Sequence, residues 1–169
     1  MIHALQTLVL LVFPLLILIA ALCDATSYTI PNWVSLALLA IFPLAALAMG
    51  LPLADVGLQL GLGAAALVAA MAMFALGWIG GGDAKLFAAA ALWLGWPAIL
   101  TFLAVTGVAG GALAVGLLAL RAPALRRHLA AGPAWFVRLA EPGENVPYGV
   151  AIAVGALAAF PGCGLLARL

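Results

Sequence analysis

Apolar residues fill the chain in long runs, and the few polar breaks between them set its architecture. The first run covers Ala4 to Leu22 and gives way at Asp24-Ala25-Thr26-Ser27-Tyr28-Thr29-Ile30-Pro31-Asn32. The proline there favours starting a new helix. A second run extends from about Trp33 to Met49, with Gly50-Leu51-Pro52 and Asp55 as its exit turn, and a third from Val56 to about Trp78. Gly80-Gly81-Gly82-Asp83-Ala84-Lys85 interrupts next. From Leu86 to Leu120 no residue is charged, a length well beyond the about 20 residues of one span. Two helices are therefore predicted here, joined at Gly95-Trp96-Pro97, where tryptophan suits a membrane interface. A polar segment from Arg121 to Asn145 precedes a final run from about Pro147 to Leu166.

The runs are rich in Ala and Leu and lack the polar alternation of barrel strands. In lipid only helices or closed barrels satisfy every backbone group. The pattern predicts an all-α polytopic membrane protein of six transmembrane helices, forming a single membrane-embedded domain over residues 1–169. Composition agrees: of 169 residues 69% are hydrophobic and only 7% charged, against about 25% charged in soluble domains. The N-terminus lacks the basic region of a secretory signal peptide, so its run is expected to remain as a permanent span.

Net charge is +1, which leaves no electrostatic footprint for nucleic acid. Cys23 and Cys163 lie far apart and form no metal-ligand spacing; both are expected as buried or lipid-facing thiols. No metal or organic cofactor is identified.

The predicted spans place Asp24, Asp83 and Arg121 on one side of the membrane. Lys85, Arg121, Arg126, Arg127 and Arg138 share that side, while Arg168 falls opposite. By the positive-inside rule the shared side is cytoplasmic and both termini are non-cytoplasmic. The fourth helix is short. Ending at Gly95, it has about ten residues after Lys85, or roughly 15 Å of rise against a hydrocarbon core of about 30 Å. Asp83 is thus expected below the cytoplasmic surface.

An ionisable residue at membrane depth is costly and marks a functional site by default. Asp24 and Asp83 could alternatively serve as helix caps in polar loops, since Asp is a favoured cap. The glycines favour the first reading. Lacking Cβ, Gly80, Gly81 and Gly82 let the backbone unwind and let another segment approach closely. Tight helix packing would explain the contact, but not the neighbouring acid.

Gly80-Gly81-Gly82-Asp83 fits the Gly-x-Gly-Asp signature of polytopic aspartic proteases, and with Ala84-Lys85-Leu86 it resembles the type IV prepilin peptidases. Asp24 followed by Ile30-Pro31-Asn32 is similar to their first catalytic motif, and Val146-Pro147-Tyr148-Gly149-Val150-Ala151 to a third segment. The resemblance covers the whole chain in order. Paired Cys-x-x-Cys motifs and the long cytoplasmic insertion of bifunctional members are missing, so the chain resembles the short, tight-adherence (Flp pilus) form. One departure is the segment Ala25 to Thr29, where family members often carry basic residues.

The resemblance implies a bacterial cytoplasmic-membrane endopeptidase with Asp24 and Asp83 as its catalytic pair, and no N-methyltransferase activity. The implied partners are lipids and a prepilin or pseudopilin, cut on the cytoplasmic side between a short basic leader and a hydrophobic helix. Two close carboxyls hold one shared proton, so one acts as general base while the other donates. Lys85 either snorkels to the headgroups or shapes the pair's titration. Pro147, Tyr148 and Gly149 either position an extended substrate or simply start a helix. The Arg121 to Arg138 segment, with Leu125, Leu129, Trp135, Phe136 and Leu139, suits a helix lying on the cytoplasmic leaflet.

Three other readings remain at this point. A small ion- or proton-coupled transporter would use intramembrane carboxylates, although the two halves show no inverted match. A non-catalytic assembly protein would tolerate Asn at both aspartates. Presenilin-like proteases share Gly-x-Gly-Asp but pair it with Tyr-Asp, whereas Cys23 precedes Asp24 here.

Overall fold

The computed structural model describes residues 2–122, 134–141 and 145–169. Its regular structure is helical, with no strand among the described residues: α1 (Ile2–Ser27), α2 (Asn32–Ala48), α3 (Leu53–Ala75), α4 (Gly81–Leu94), α5 (Ala98–Leu120), the short α6 (Ala134–Leu139) and α7 (Tyr148–Ala159). Two 3-10 turns, Phe160–Gly162 and Leu166–Arg168, close the chain. Four segments are long and apolar enough to cross a membrane: His3–Ser27, Leu53–Ala75, Ala98–Leu120 and Tyr148–Arg168; the apolar α2 is shorter. The chain is a membrane protein whose described regular structure is all helical. Arg126, Arg127, Leu125 and Leu129 lie outside the described residues, and of Phe136 only the backbone is described.

α4 occupies the centre. It is apolar nearly all round, as a helix enclosed by others should be, and Ala88 to Leu94 are all buried. α1, α2, α3, α5 and α7 all touch it. Its fourteen residues rise about 21 Å, short of a full hydrocarbon core. Trp93, fully buried near its C-terminal end, stacks on Phe13 of α1 at 5.4 Å and meets Phe42 of α2 edge-on at 6.1 Å. Its indole N–H donates to Leu38 O at 2.9 Å. These contacts fix the depth of α4 against α1 and α2.

On α1 the buried residues Leu10, Phe13, Ile17, Ala20 and Asp24 recur every three or four positions, a stripe along one helical face. Asp24 therefore continues the interior face. The helix runs on to Ser27 rather than giving way at Asp24. Thr26 Oγ1 donates to Leu22 O at 2.7 Å and Ser27 Oγ to Cys23 O at 2.6 Å, so residues that look like a polar loop bond back into the helix. Tyr28, with φ of 54°, ends it in the left-handed conformation, its N–H donating to Asp24 O at 2.9 Å.

α5 and α7 pack closely because Gly155 lacks a Cβ; one there would run into Thr106 and sit 2.9 Å from Phe102 O. At one end of the bundle lie the C-terminus of α1 and the N-termini of α4 and α7. At the other, Gln6 Nε2 donates to Ala48 O at 2.9 Å and Arg168 meets Asp55 at 3.3 Å.

Candidate active site

Asp24 and Asp83 are among the few buried polar side chains, 5% and 7% exposed. Asp83 sits in the first turn of α4 and reaches back, its Oδ2 accepting from the Gly80 N–H at 3.1 Å. That is the reach-back half of a capping box. Its Oδ1 is buried with no hydrogen-bond partner among the described residues. Only Gly80 of the three consecutive glycines stands outside the helix, in an extended conformation; Gly81 and Gly82 form the first turn.

α7 supplies the third element. Pro147 precedes its first turn, where backbone N–H groups have no partner within the helix and the dipole favours negative charge. The Gly149 N–H donates to Asp24 Oδ2 at 2.7 Å. Asp83 is near enough for its charge to act on Asp24. Two carboxyls from different helices are thus brought together at this end of the bundle, one of them held by the Gly149 amide.

Glycine is required at this junction. A Cβ on Gly149 would lie 2.8 Å from Asp24 Oδ2 and 2.8 Å from Ile30 Cδ1. A Cβ on Gly82 would lie 3.2 Å from Ile30 Cβ. Ile30 is therefore the wedge on which both glycine segments close, and it holds the turn after Asp24 against α4 and α7.

Lys85 projects from α4 and donates to Asn32 Oδ1 at 2.8 Å. That contact ties the Gly-Gly-Gly-Asp turn to the Ile-Pro-Asn turn. Tyr148 lies over Gly110 of α5. Of the residues singled out in the sequence, Asp24, Asp83, Gly80, Gly82, Lys85, Pro147, Tyr148 and Gly149 gather at this end; Gly81 faces Phe74 instead.

A family model of type IV leader peptidases matches residues 11–115. The chain belongs to the type IV leader peptidase family. No curated protein and no solved structure matches it. The match takes in both aspartates and the Lys85–Asn32 link, and it ends within α5. Gly149 lies outside the match, so its place at the site is known from geometry alone.

Ile30 and Asn32 stand in the Ile-Pro-Asn motif, but the motif alone does not reveal the contacts they make at this end of the bundle. The guanidinium of Arg138 in α6 stacks over the Tyr28 ring at 4.9 Å. Arg121 donates to Leu139 O at 3.2 Å and to Asn145 O at 3.0 Å, holding the described parts of the polar segment beside the site. No signal in the sequence pairs these residues. Among the described residues no cluster of His, Cys, Asp and Glu could hold a metal.

Proposed function

We propose that this protein is an aspartic endopeptidase that cleaves the short basic leader from Flp-like type IV prepilins or pseudopilins. Asp24 and Asp83 act as the catalytic pair, facing the cytoplasm from a bacterial inner membrane. Six membrane-embedded helices, α1 to α5 and α7, then put both termini on the far side, with α4 reaching only part-way across.

The observation that carries the reading is the burial of two carboxyls where α1, α4 and α7 come together, Asp24 held by the Gly149 amide and Asp83 Oδ1 without a partner among the described residues. Such a pair shares one proton because adjacent carboxylates repel. The ionised member takes a proton from a bound water, whose oxygen attacks the scissile carbonyl carbon while the protonated member donates to the carbonyl oxygen. Collapse of the tetrahedral intermediate breaks the C–N bond, and a proton from the pair goes to the leaving amine. The two states belong to the pair, and neither role is assigned to one aspartate.

Substrate access has support from a cavity of about 520 Å³ between α3, α4, α5 and α7, lined by Ile79, Phe87, Gly107, Gly110 and Tyr148. It is apolar and adjoins the Gly149 turn, as the start of a hydrophobic substrate helix requires. Lys85 holds Asn32 and so orients the turn beside the pair.

Co-expression with candidate short prepilins tests the proposal. Wild type converts the precursor to a smaller pilin, and Asp24→Asn and Asp83→Asn each leave it full-length. The mass of the product's N-terminal peptide reads methylation, and an unmethylated terminus is expected. Processing that survives in both variants refutes the pair.

A further inference from the structure

A second polar site lies at the other end of the bundle, independent of the peptidase reading. Asp55, Gln59 and Arg168 line a cavity of about 350 Å³ with Leu58, Trp96 and Gly164. In an apolar chain these groups are conspicuous. Gln59 follows Asp55 by one turn of α3 and shares its face. It is 4% exposed, and its Oε1 is buried with no hydrogen-bond partner among the described residues. Polar atoms buried in this way are normally paired, and an unpaired one requires an explanation.

The surroundings keep Gln59 in place without satisfying that oxygen. Gly95, with φ of 62°, leaves its floor open; a Cβ there would stand 2.6 Å from Gln59 Nε2. Above it, Asp55 meets Arg168 through a single contact of 3.3 Å, with the side chains 50% and 37% exposed. Arg168 Nη1 donates to Gly50 O at 3.3 Å, and the guanidinium has further N–H donors to offer. The cavity is therefore lined by two residues with acceptor oxygens, Asp55 and Gln59, the latter with its Oε1 unpartnered among the described residues, beside one cation.

The complementary ligand carries an N–H-bearing cation next to an anion, which is the chemistry of phosphoethanolamine. A quaternary ammonium has no N–H to give Gln59, and a phosphoglycerol has no cation for Asp55. The rim points to a lipid as the source. Trp96 is exposed, as tryptophan at headgroup level is, and Leu53 stands almost fully exposed before Asp55. We propose that this cavity binds the headgroup of an aminophospholipid, its ammonium donating to Gln59 Oε1 and Asp55 and its phosphate accepting from Arg168.

Lipid binding to the purified full-length protein in detergent tests this, by native mass spectrometry with phosphatidylethanolamine, phosphatidylcholine and phosphatidylglycerol of matched chains. Wild type should bind phosphatidylethanolamine about tenfold more tightly than either other lipid, the effect of a hydrogen bond to a charged group. Asp55→Asn, on the exposed rim, and Gln59→Leu should each lower phosphatidylethanolamine to the level of phosphatidylcholine and leave phosphatidylcholine unchanged. Should Gln59→Leu not fold, Asp55→Asn decides alone. Equal binding of the three lipids by wild type, or a preference that survives Asp55→Asn, overturns the proposal. Soluble glycerophosphoethanolamine binding as tightly as the lipid would overturn the lipid as the source.

Discussion

The Gly149 amide donates to Asp24 Oδ2 at 2.7 Å, joining positions 125 residues apart. No side chain fits between them, since a Cβ on Gly149 would lie 2.8 Å from the same oxygen and 3.0 Å from Asp24 Cβ. Gly149→Ala must displace either α7 or the carboxyl. Overpacking of this kind costs about 1–3 kcal/mol, and a misplaced catalytic group loses rate well beyond that. Prepilin processing by Gly149→Ala should fall at least about tenfold while insertion and helix content hold. Gly162→Ala is the control, because its Cβ would meet only Ala98 at 3.9 Å. Equal processing by both variants would deny the Gly149 amide its place at the site.

Asn at position 24 or 83 keeps the shape of the carboxyl and removes its proton chemistry. In the proposed reaction each aspartate passes between base and acid, so either substitution stops the cycle. Loss of general acid–base catalysis amounts to about 10²–10⁴ in rate. Asp24→Asn and Asp83→Asn should each lose at least about a hundredfold in processing, with thermal stability in detergent close to wild type, since a pair sharing one proton and an Asn–Asp pair carry the same single charge. A variant that stays inserted and still processes at a tenth of the wild-type rate would exclude its aspartate from the chemistry.

Lys85 and Asn32 link the two motif turns at 2.8 Å, on exposed side chains. An exposed contact of this kind stabilises by about 0.2–1 kcal/mol, so neither Lys85→Met nor Asn32→Ala should shift the melting temperature much. Their effects on processing should overlap. A double-mutant cycle on processing rates is expected to give a coupling of about 0.5–1 kcal/mol, and strictly additive losses would mean that the two residues act separately.

Both aspartates were legible in the sequence because charge is so scarce between the apolar runs that each acid stands out. The order of the helices was legible too, since Gly50-Leu51-Pro52, Gly80 and Gly95-Trp96-Pro97 each fall between helices, although Gly81 and Gly82 already belong to α4. The course of α1 was not. Thr26 and Ser27 look like loop residues, and only their bonds to Leu22 O and Cys23 O show that they extend the helix. Nor could sequence reveal that Ile30 is the wedge between Gly82 and Gly149, because that fit depends on three segments meeting in space. Gln59 passed unnoticed for a similar reason: one amide in an apolar helix carries no pattern, and its significance lies in an oxygen without a partner.

Trp93 offers a test of the scaffold apart from the chemistry. Fully buried in α4, it packs on Phe13 and Phe42 and donates to Leu38 O. Trp93→Ala removes the largest side chain of the core and should cost about 3–5 kcal/mol, read as a lower unfolding midpoint in detergent. Trp93→Phe keeps most of the apolar contact but loses the indole donor, a loss of about 1–2 kcal/mol. Asp83 begins the same rigid helix about 15 Å away, so slippage of α4 reaches the site. Trp93→Ala should therefore reduce processing even below its unfolding midpoint, and Trp93→Phe much less. An alanine variant that is destabilised yet processes at the full rate would show that the depth of α4 is fixed by other contacts.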